Sequence, residues 1–352
     1  MAPHGDIESL GEGEPTRGGR VVQPRRPNLV IRLINLFGVI GLLGSLVGFA
    51  ASYHWMADAA IQLRVQYLIV LLPAAVLWAF QRRRILAGIS AAALVVNAWP
   101  VVPYFIPPAA RSTSASESTG SERLRLRLLV FNVLRTNDDI EGALGEVVEE
   151  DADFVFLMEV SPAWESRLRA LRDRYPHQKL LCRHDYTGVA FLSKHRWTQL
   201  EVLDTGDASL PLDIQFPPVA GQPAGFRLIA THPLPPIGPY LTELRDRQLA
   251  TLAARVRDDQ GTLLIGDFNL SPWSPRFQAV LDAGRLRDAS LGYGIAPTLT
   301  PLPSLMGGVK VDHVLVNGGV TIRSYRLRPS AGSDHQRLIV EFDQKGVRTL
   351  FQ

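Results

Sequence analysis

Three long apolar segments dominate the first 110 residues of the chain. They cover residues 33–56, 61–80 and 85–110, and they are almost free of charged side chains, with Arg64 near the start of the second. About 20 apolar residues suffice for a helix to cross a hydrocarbon layer of about 30 Å. The pattern predicts three transmembrane helices within residues 29–108. A buried helical hairpin of a soluble domain is the alternative.

The first apolar segment contains four regularly spaced glycines. Gly38, Gly41, Gly44 and Gly48 recur at intervals of three and four residues, and Gly44 and Gly48 form a pair of small residues four apart. Small residues at this spacing let transmembrane helices approach closely. We therefore expect this side of the first helix to pack against a neighbour.

Arginines predict the orientation in the membrane. Residues 1–28 are rich in Gly, Pro and Arg and lack apolar periodicity, which predicts a disordered tail. This tail and the triplet Arg82, Arg83 and Arg84 carry the positive charge, which favours a cytoplasmic position for both. Three crossings then place everything after Ala110 on the extracytoplasmic side of the inner or plasma membrane.

The chain changes character after a Ser/Thr/Gly-rich segment, which we assign as a flexible linker at residues 109–122. From residue 123 to 352, short apolar strands alternate with amphipathic helices, and no repeat of fixed period is seen. The residues alone predict a mixed α/β domain. The predicted strands are residues 124–131, 154–158, 188–192, 226–230, 262–265, 309–316 and 338–342, and the predicted helices are residues 137–150, 161–174, 240–257 and 275–283.

Composition narrows the functional classes. A length of 352 residues allows about two domains, and the net charge of +3 offers no basic block of the size that nucleic-acid binding normally needs. Cys182 is the single cysteine, which excludes an internal disulfide and a cysteine-rich zinc site. We interpret Cys182 as a small buried hydrophobic residue.

The segment Gly-Asp-Phe-Asn at 266–269 is the strongest local indication of chemistry. It follows an apolar strand, and Gly266 lets the backbone turn at the strand end. Asp267 can then take a proton or a metal ion, while the amide of Asn269 can hold an oxygen atom. Ser271-Pro272 predicts the start of the next helix. An ordinary β-turn formed by Asp and Asn is the alternative.

Other polar residues follow buried strands in the same way. Asn132, Glu159, His232 and Asp267 each end a strand, and Asp312 and the segment Ser-Asp-His at 333–335 follow near the C-terminus. Each residue alone has an ordinary explanation, such as a cap, an exposed side chain or a structural histidine. Together they predict a site at one edge of a β-scaffold.

This set of residues resembles the endonuclease/exonuclease/phosphatase superfamily of DNase-like, metal-dependent phosphohydrolases. The resemblance covers residues 124–343 and rests chiefly on the Gly-Asp-Phe-Asn and Ser-Asp-His segments. It implies a four-layer α/β (α+β) sandwich of two mostly antiparallel β-sheets flanked by helices, here preceded by three transmembrane helices. The chain as a whole resembles membrane-anchored bacterial members of that superfamily.

The resemblance also implies a role for each site residue. Glu159 would be the principal ligand of Mg²⁺ or Mn²⁺, with Asn132 and Asp334 beside it. The catalytic residues would be His232, Asp267, Asn269, Asp312 and His335. In these roles Asp312 and His335 form a dyad, Asp267 orients or deprotonates water, Asn269 binds a phosphate oxygen, and His232 stabilises charge or protonates the leaving oxygen. The implied reaction is in-line attack of water on phosphorus.

Three positions need separate comment. Some nucleases of the superfamily carry an acidic residue where this chain has Leu134, so a second acidic ligand is missing there. Arg337 stands where the superfamily usually has proline. His313 follows Asp312 on a strand, so alternation points it to the opposite face, and we interpret it as structural or exposed.

The substrate is predicted from the topology. An extracytoplasmic site at a membrane favours a lipid-linked or headgroup phosphoester, and the apolar loop at residues 233–239 can lie against the bilayer or form a rigid connection. The expected partners are thus the lipid bilayer and a phosphoester, with nucleic acid less favoured and no obligate protein partner inferred. A membrane-tethered nuclease acting on external DNA or RNA and a non-catalytic binding module are the alternatives.

Overall fold

A computed structural model describes residues 28–107, 125–219, 222–300 and 307–344. The predicted linker at 109–122 lies outside the described residues, and so does the predicted disordered tail apart from Asn28. The described chain forms an N-terminal helical region, residues 28–107, and a larger domain of two β-sheets with helices.

Four α-helices make up the helical region. They are α1 (Leu29–Val47), α2 (Trp55–Ile61), α3 (Arg64–Phe80) and α4 (Arg84–Ala98), with 3₁₀ turns at Gly48–Ala50 and Val102–Tyr104. Within the described residues, one helix, Leu29–Ala50, is long and apolar enough to span a membrane by itself, with a mean hydropathy of 2.1. Helices α2 and α3 pass the same test only as a pair bent by 62°, and α4 is shorter. The second and third predicted spans therefore stay predictions.

The glycines of α1 face α3. A Cβ atom on Gly38 would lie 2.4 Å from the Cβ of Ala74, and one on Gly44 would lie 2.4 Å from the ring of Tyr67. Both distances are far inside van der Waals contact, so only glycine permits this approach of the two helices. The expected close packing of this side of α1 is present.

The outside of the helical region is strongly apolar. Of the large hydrophobic side chains that are exposed among the described residues, twenty-six of thirty-one lie between Leu29 and Ile106. Many exposed apolar side chains in one region are typical of a surface that contacts a membrane or another protein.

Twelve strands form two six-stranded sheets in the described part of the larger domain. They are β1 (Leu126–Asn132), β2 (Phe154–Met158), β3 (His177–Leu181), β4 (Val189–Ser193), β5 (Gln199–Val202), β6 (Leu212–Phe216), β7 (Phe226–Ala230), β8 (Gly261–Asp267), β9 (Arg287–Asp288), β10 (Asp312–Val316), β11 (Val320–Arg328) and β12 (Arg337–Gln344). The strand orders are β11-β12-β1-β2-β4-β3 and β5-β6-β7-β8-β10-β9.

The two sheets have the same internal arrangement. In each sheet the two central strands, β1 with β2 and β7 with β8, run parallel. All other neighbouring strands run antiparallel. Both sheets are therefore mixed, and β1-β2-β4-β3 corresponds in order to β7-β8-β10-β9.

The larger domain has four layers of secondary structure, helices, sheet, sheet and helices, with an apolar core between each layer and the next. Side chains such as Phe156 and Ile265 meet between the sheets. The outer face of the first sheet packs on α5 (Ile140–Glu150) and α6 (Glu165–Ala170). The outer face of the second packs on α7 (Pro239–Ala254) and α8 (Pro275–Gly284). The expected sandwich of two sheets between helices is confirmed.

Several predicted boundaries were wrong. Helix α8 begins at Pro275, and its cap is the Ser274 hydroxyl, which accepts the N–H of Arg276, rather than Ser271-Pro272. Helix α5 is capped by Asp139, which accepts the N–H of Gly142, rather than by residues 137–138. The helix predicted at 161–174 is broken into α6 and two 3₁₀ turns. The apolar pattern did not predict β3, β5, β6, β9 or β11.

Candidate active site

The site lies where the parallel pair of each sheet ends. Asn132 is the last residue of β1, and Glu159 follows β2 directly. In the other sheet, Asp267 is the last residue of β8, and His232 follows β7 after one residue. Because parallel neighbours end at the same edge of a sheet, each pair delivers two polar side chains to that edge.

One oxygen atom of Asp267 lies at the centre of the cluster. Asp267 Oδ2 accepts a hydrogen bond from Asn132 Nδ2 at 3.2 Å. The Nε2 atoms of His232 and His335 each lie 3.7 Å from the same oxygen. All four side chains are buried. Residues that are separated by up to 203 positions in sequence thus converge on one carboxylate.

Glu159 stands beside this carboxylate in a left-handed backbone conformation, with φ of 63°. Its Oε1 accepts from Asn132 Nδ2 at 3.0 Å, and its Oε2 accepts from the backbone N–H of Arg135 at 3.0 Å. The Asn132 amide therefore bridges the two carboxylates as a donor, while its oxygen accepts from Leu134 N–H at 3.1 Å. The metal-ligand roles of Glu159 and Asn132 stay predictions.

Asp312 and His335 form the predicted dyad geometry. The register of β8 and β10 pairs Asp312 with Asp267, and His335 Nδ1 lies 2.8 Å from Asp312 Oδ2. The Thr298 hydroxyl accepts the backbone N–H of Asp312 and so fixes the start of β10. Burial by itself would lower the pKa of His335, but the carboxylates of Asp312, Asp267 and Asp334 outweigh it and raise the pKa to about 10.

The protonation of the two central carboxyl groups differs. Burial raises the pKa of Asp267, and the neighbouring Asp312 carboxylate raises it further. Burial would also raise the pKa of Asp312, but the charge and the hydrogen bond of His335 lower it below its usual value. Asp312 is thus held as the anion of an ion pair, whereas Asp267 is the better proton acceptor.

Asn269 is held on a strained turn beside Asp267. Its φ is 50°, its backbone N–H donates to Asp267 Oδ1 at 2.8 Å, and its Nδ2 donates to the carbonyl of Pro233 at 3.1 Å. Gly266 has φ of 136°, and a Cβ there would lie 1.8 Å from Thr231 O. The turn requires glycine, and one Asn269 amide N–H is left for a substrate oxygen.

The donor set fits a hard divalent cation. Asp334 Oδ1 and Asp312 Oδ1 are buried and hydrogen-bond to no residue that the structure describes. Asp267, Asp312 and His335 offer ligand atoms within 4.8 Å of one another. Buried carboxylate oxygens without donors are costly unless a cation or water satisfies them, and carboxylates suit Mg²⁺ or Mn²⁺. A metal ion can therefore be held here, by this group if His335 gives up the proton on Nε2, or by the predicted ligands Asn132, Glu159 and Asp334.

His313 is buried, and the structure gives it a packing role. Its ring lies between Phe268 and Phe277, Nε2 lies 2.8 Å from Leu270 O, and Nδ1 lies 2.9 Å from Lys310 Nζ. Burial and the nearby Lys310 lower the pKa of His313 to about 3. The neutral ring thus donates to Leu270 and accepts from Lys310, which confirms the structural interpretation.

The structure also describes three other positions that stood out in the sequence. Arg337, in the place of the usual proline, is buried and bonds to Pro329 O and to Glu150. Leu134 offers no acid, and instead its backbone N–H orients Asn132. Cys182 is only partly buried, and burial raises the pKa of its thiol to about 11.

Comparison with known proteins adds a family and a fold. Residues 129–335 match the model described as the Endonuclease/Exonuclease/phosphatase family. The crystal structure of humanized D. rerio TDP2, which carries 14 mutations, aligns with a TM-score of 0.53 and 18% identity over 62% of this chain and 99% of that chain. The crystal structure of an endonuclease/exonuclease/phosphatase from Beutenbergia cavernae aligns with a TM-score of 0.52 and 19% identity, over 64% of this chain and 73% of that chain. A search of curated proteins finds no significant match.

Proposed function

The chain belongs to the Endonuclease/Exonuclease/phosphatase family, and from that premise we propose that it is a membrane-anchored, divalent-metal-dependent hydrolase of a lipid-type phosphoester. Members of the family are phosphoester hydrolases. The observation that carries the catalytic part is the convergence of Asn132, His232 and His335 on Asp267 Oδ2 within 3.7 Å.

Each protein group has a task in this proposal. Asp267, with its raised pKa, accepts a proton from the attacking water. His335, kept protonated by Asp312, stabilises negative charge that develops on the phosphoryl oxygens. The free N–H of the Asn269 amide binds a non-bridging oxygen, and His232 donates a proton to the leaving oxygen.

The metal ion would be held by Asn132, Glu159 and Asp334, and the Asn132 amide also orients the Glu159 carboxylate by donating to it. When bound, Mg²⁺ or Mn²⁺ would neutralise charge on the phosphoryl group and orient it for in-line attack. The buried and unpaired Asp334 Oδ1 supports this assignment.

The membrane part of the proposal rests on the helical region. An α-helix rises about 1.5 Å per residue, so the 19 residues of α1, the 17 of α3 and the 15 of α4 extend about 28, 25 and 23 Å. The turns that flank α3 and α4 can supply the remaining length across about 30 Å. We propose that these three helices span the bilayer, with the short α2, which is bent by 62° from α3, at its outer surface.

The direction of the helices supports the predicted topology. The end of the region that contains α2 and Tyr104 contacts the β-domain, for example through Tyr104 Oη and Asp288 Oδ2 at 3.1 Å. Arg82 and Arg83 lie in the turn between α3 and α4, and Arg84 is the first residue of α4; this is the opposite end of both helices. Arginines on the cytoplasmic side then put the β-domain on the extracytoplasmic side.

The loop after His232 supports a lipid substrate. Ile237 is 76% exposed and Tyr240 is 70% exposed. Pro239 lines the same groove as Tyr53 and Trp55 of the helical region. We propose that Ile237, Tyr240 at the start of α7 and the adjoining end of the helical region face the membrane, and that the headgroup of a membrane lipid reaches the site from this side.

The test uses the whole chain in detergent micelles. Phosphoester cleavage is measured with and without Mg²⁺ on matched pools of lipid phosphoesters and of DNA, beside Glu159→Gln, which keeps the shape of the side chain but removes its charge. We expect metal-dependent cleavage of lipid that is lost in the variant. Cleavage of DNA alone would refute the lipid substrate and favour a membrane-tethered nuclease. Absence of cleavage in a folded wild type would favour a binding module.

A further inference from the structure

The helical region is joined to the β-domain by specific buried contacts. Gln66 Nε2 donates to the carbonyl of Gly307 at 2.7 Å. Tyr104 meets the ring of Trp273 edge-on, with centroids 5.5 Å apart, within a small apolar cluster. This interface also contains a charged residue of the helical region, which is buried against the β-domain.

That residue is Asp58 of α2. Its side chain is 4% exposed, and its Oδ2 lies 3.0 Å from Nη2 of Arg245, a residue of α7 that is fully buried. Asp58 Oδ1 accepts a hydrogen bond from the Ser274 hydroxyl. An arginine stays charged under all physiological conditions, so a buried guanidinium needs its carboxylates. Asp246, at 2.7 Å, is the second one.

The other side of the same guanidinium reaches the catalytic turn. Arg245 Nη1 donates to the carbonyl oxygen of Asn269 at 2.9 Å. Asn269 N–H in turn donates to Asp267 Oδ1 at 2.8 Å. A continuous path of hydrogen bonds thus runs from Asp58 in the helical region to the central carboxylate of the site.

This path passes through Asn269, whose backbone conformation needs support from its surroundings. Asn269 has φ of 50°. This left-handed conformation is unfavourable for a residue other than glycine, although less so for asparagine than for most, and contacts with the surroundings must hold it. The Arg245 bond to its carbonyl is one of these restraints. The planar fork of arginine can hold Asp58 and Asn269 together, which a single ammonium group cannot do in the same geometry.

We propose that Asp58 is a positioning residue, and that the helical region completes the active site by holding Arg245 against the Asn269 turn. The inference rests on the proposed hydrolase activity of this site. It makes the helical region a working part of the enzyme as well as its anchor, so that hydrolysis depends on the joined state of the two parts.

The experiment compares three variants of the full-length protein in detergent micelles with bis(4-nitrophenyl) phosphate and Mg²⁺. Asp58→Asn removes the charge, and Arg245→Lys keeps the ion pair but loses the fork. Asp213→Asn is the matched control, because it removes a buried carboxylate that pairs with Arg227 away from the Asn269 turn. A misplacement of reacting groups by about 1 Å can cost about 100-fold in rate. We expect kcat to fall about 10- to 100-fold in the first two variants, with KM and the control kcat within about twofold of wild type.

Hydrogen exchange of residues 266–274 provides a readout that does not need activity. We expect this segment to exchange faster relative to the rest of the β-domain in Asp58→Asn and Arg245→Lys. In Asp213→Asn we expect any change in exchange to be no larger in this segment than in the rest of the β-domain. Folded variants with unchanged kcat and unchanged exchange would overturn the positioning role. If the wild type cleaves no phosphoester, the proposed hydrolase activity fails on its own, and the exchange pattern alone supports or refutes the contact from Asp58 to the turn.

Discussion

Replacement of Asp312 by asparagine tests the centre of the proposed chemistry. Asp312 is fully buried, and its Oδ2 lies 2.8 Å from His335 Nδ1. The substitution keeps the size of the side chain but removes the charge that stabilises the imidazolium. The asparagine amide can also donate to Nδ1, which would leave His335 neutral with its proton on Nε2.

The size of the effect follows from this contact. Two unit charges about 4 Å apart interact by about 4 kcal/mol at an effective dielectric constant of about 20. Because an increase of about 1.36 kcal/mol in activation free energy slows a reaction tenfold, we expect kcat to fall about 1,000-fold. The loss of about 10⁴ on the same substitution in a serine-protease triad sets a reasonable upper end.

Two measurements check the prediction. The first is kcat on a soluble phosphodiester, with Asp213→Asn as a control for loss of a buried carboxylate. The second is a histidine NMR titration of the metal-free protein. Wild-type His335, with a pKa of about 10, should stay protonated through neutral pH, whereas in Asp312→Asn it should lose its proton near the ordinary value of about 6.5. A variant with kcat within about tenfold of wild type, or an unmoved His335 titration, would refute the role assigned to this dyad.

Three further predictions concern stability and the membrane. Asp213→Asn should lower the free energy of unfolding by about 3–5 kcal/mol, because Arg227 loses a buried partner. Burial would raise the pKa of Asp213, but its arginine partners lower it; its contribution is therefore present above about pH 4 and lost in acid, so denaturant curves of the variant and wild type should converge there. Gly44→Leu should lower the thermal midpoint in detergent, since even a Cβ at this position overlaps the ring of Tyr67. Ile237→Asp should reduce hydrolysis of vesicle-borne lipid but leave that of a soluble diester unchanged, and equal loss on both would contradict contact of this loop with lipid.

The central strands could be predicted from sequence, but the edge strands could not. β2 and β7 are buried along their whole length. At the predicted positions β2 appears as an uninterrupted apolar run, and β7 as an apolar run that only Arg227 interrupts. β3, β5 and β11 lie at sheet edges, where exposed or half-buried positions are occupied by polar side chains. Polar residues on an edge strand remove the apolar signal on which such a prediction depends.

The sequence pointed to residues that the structure brings close together, such as Asn132, His232, Asp267 and His335, but not to the geometry of their contacts. The left-handed conformations of Glu159 and Asn269 and the amide of Asn132 that donates to two carboxylates depend on contacts between distant segments. Arg245 was missed because it lies in a helix among other charged residues, where an exposed side chain is the usual expectation. The sequence did contain an indication of the role of Asp58, because a single acidic residue between two apolar segments needs a cation or a hydrogen-bond donor as its partner.

The placement of the site follows from the likeness of the two sheets. β1-β2 of one sheet and β7-β8 of the other occupy corresponding positions, so the strand ends that carry Asn132 and Glu159 correspond to the strand ends that carry His232 and Asp267. No repeat of residues reveals this likeness, because corresponding positions carry different side chains. Each sheet brings two polar groups to the same edge, and the stacking of the sheets brings the two pairs together around Asp267. Asp312 and His335 enter from the strand beside β8 and the turn before β12. The topology thus supplies the convergence, and the side chains at the four strand ends supply the chemistry.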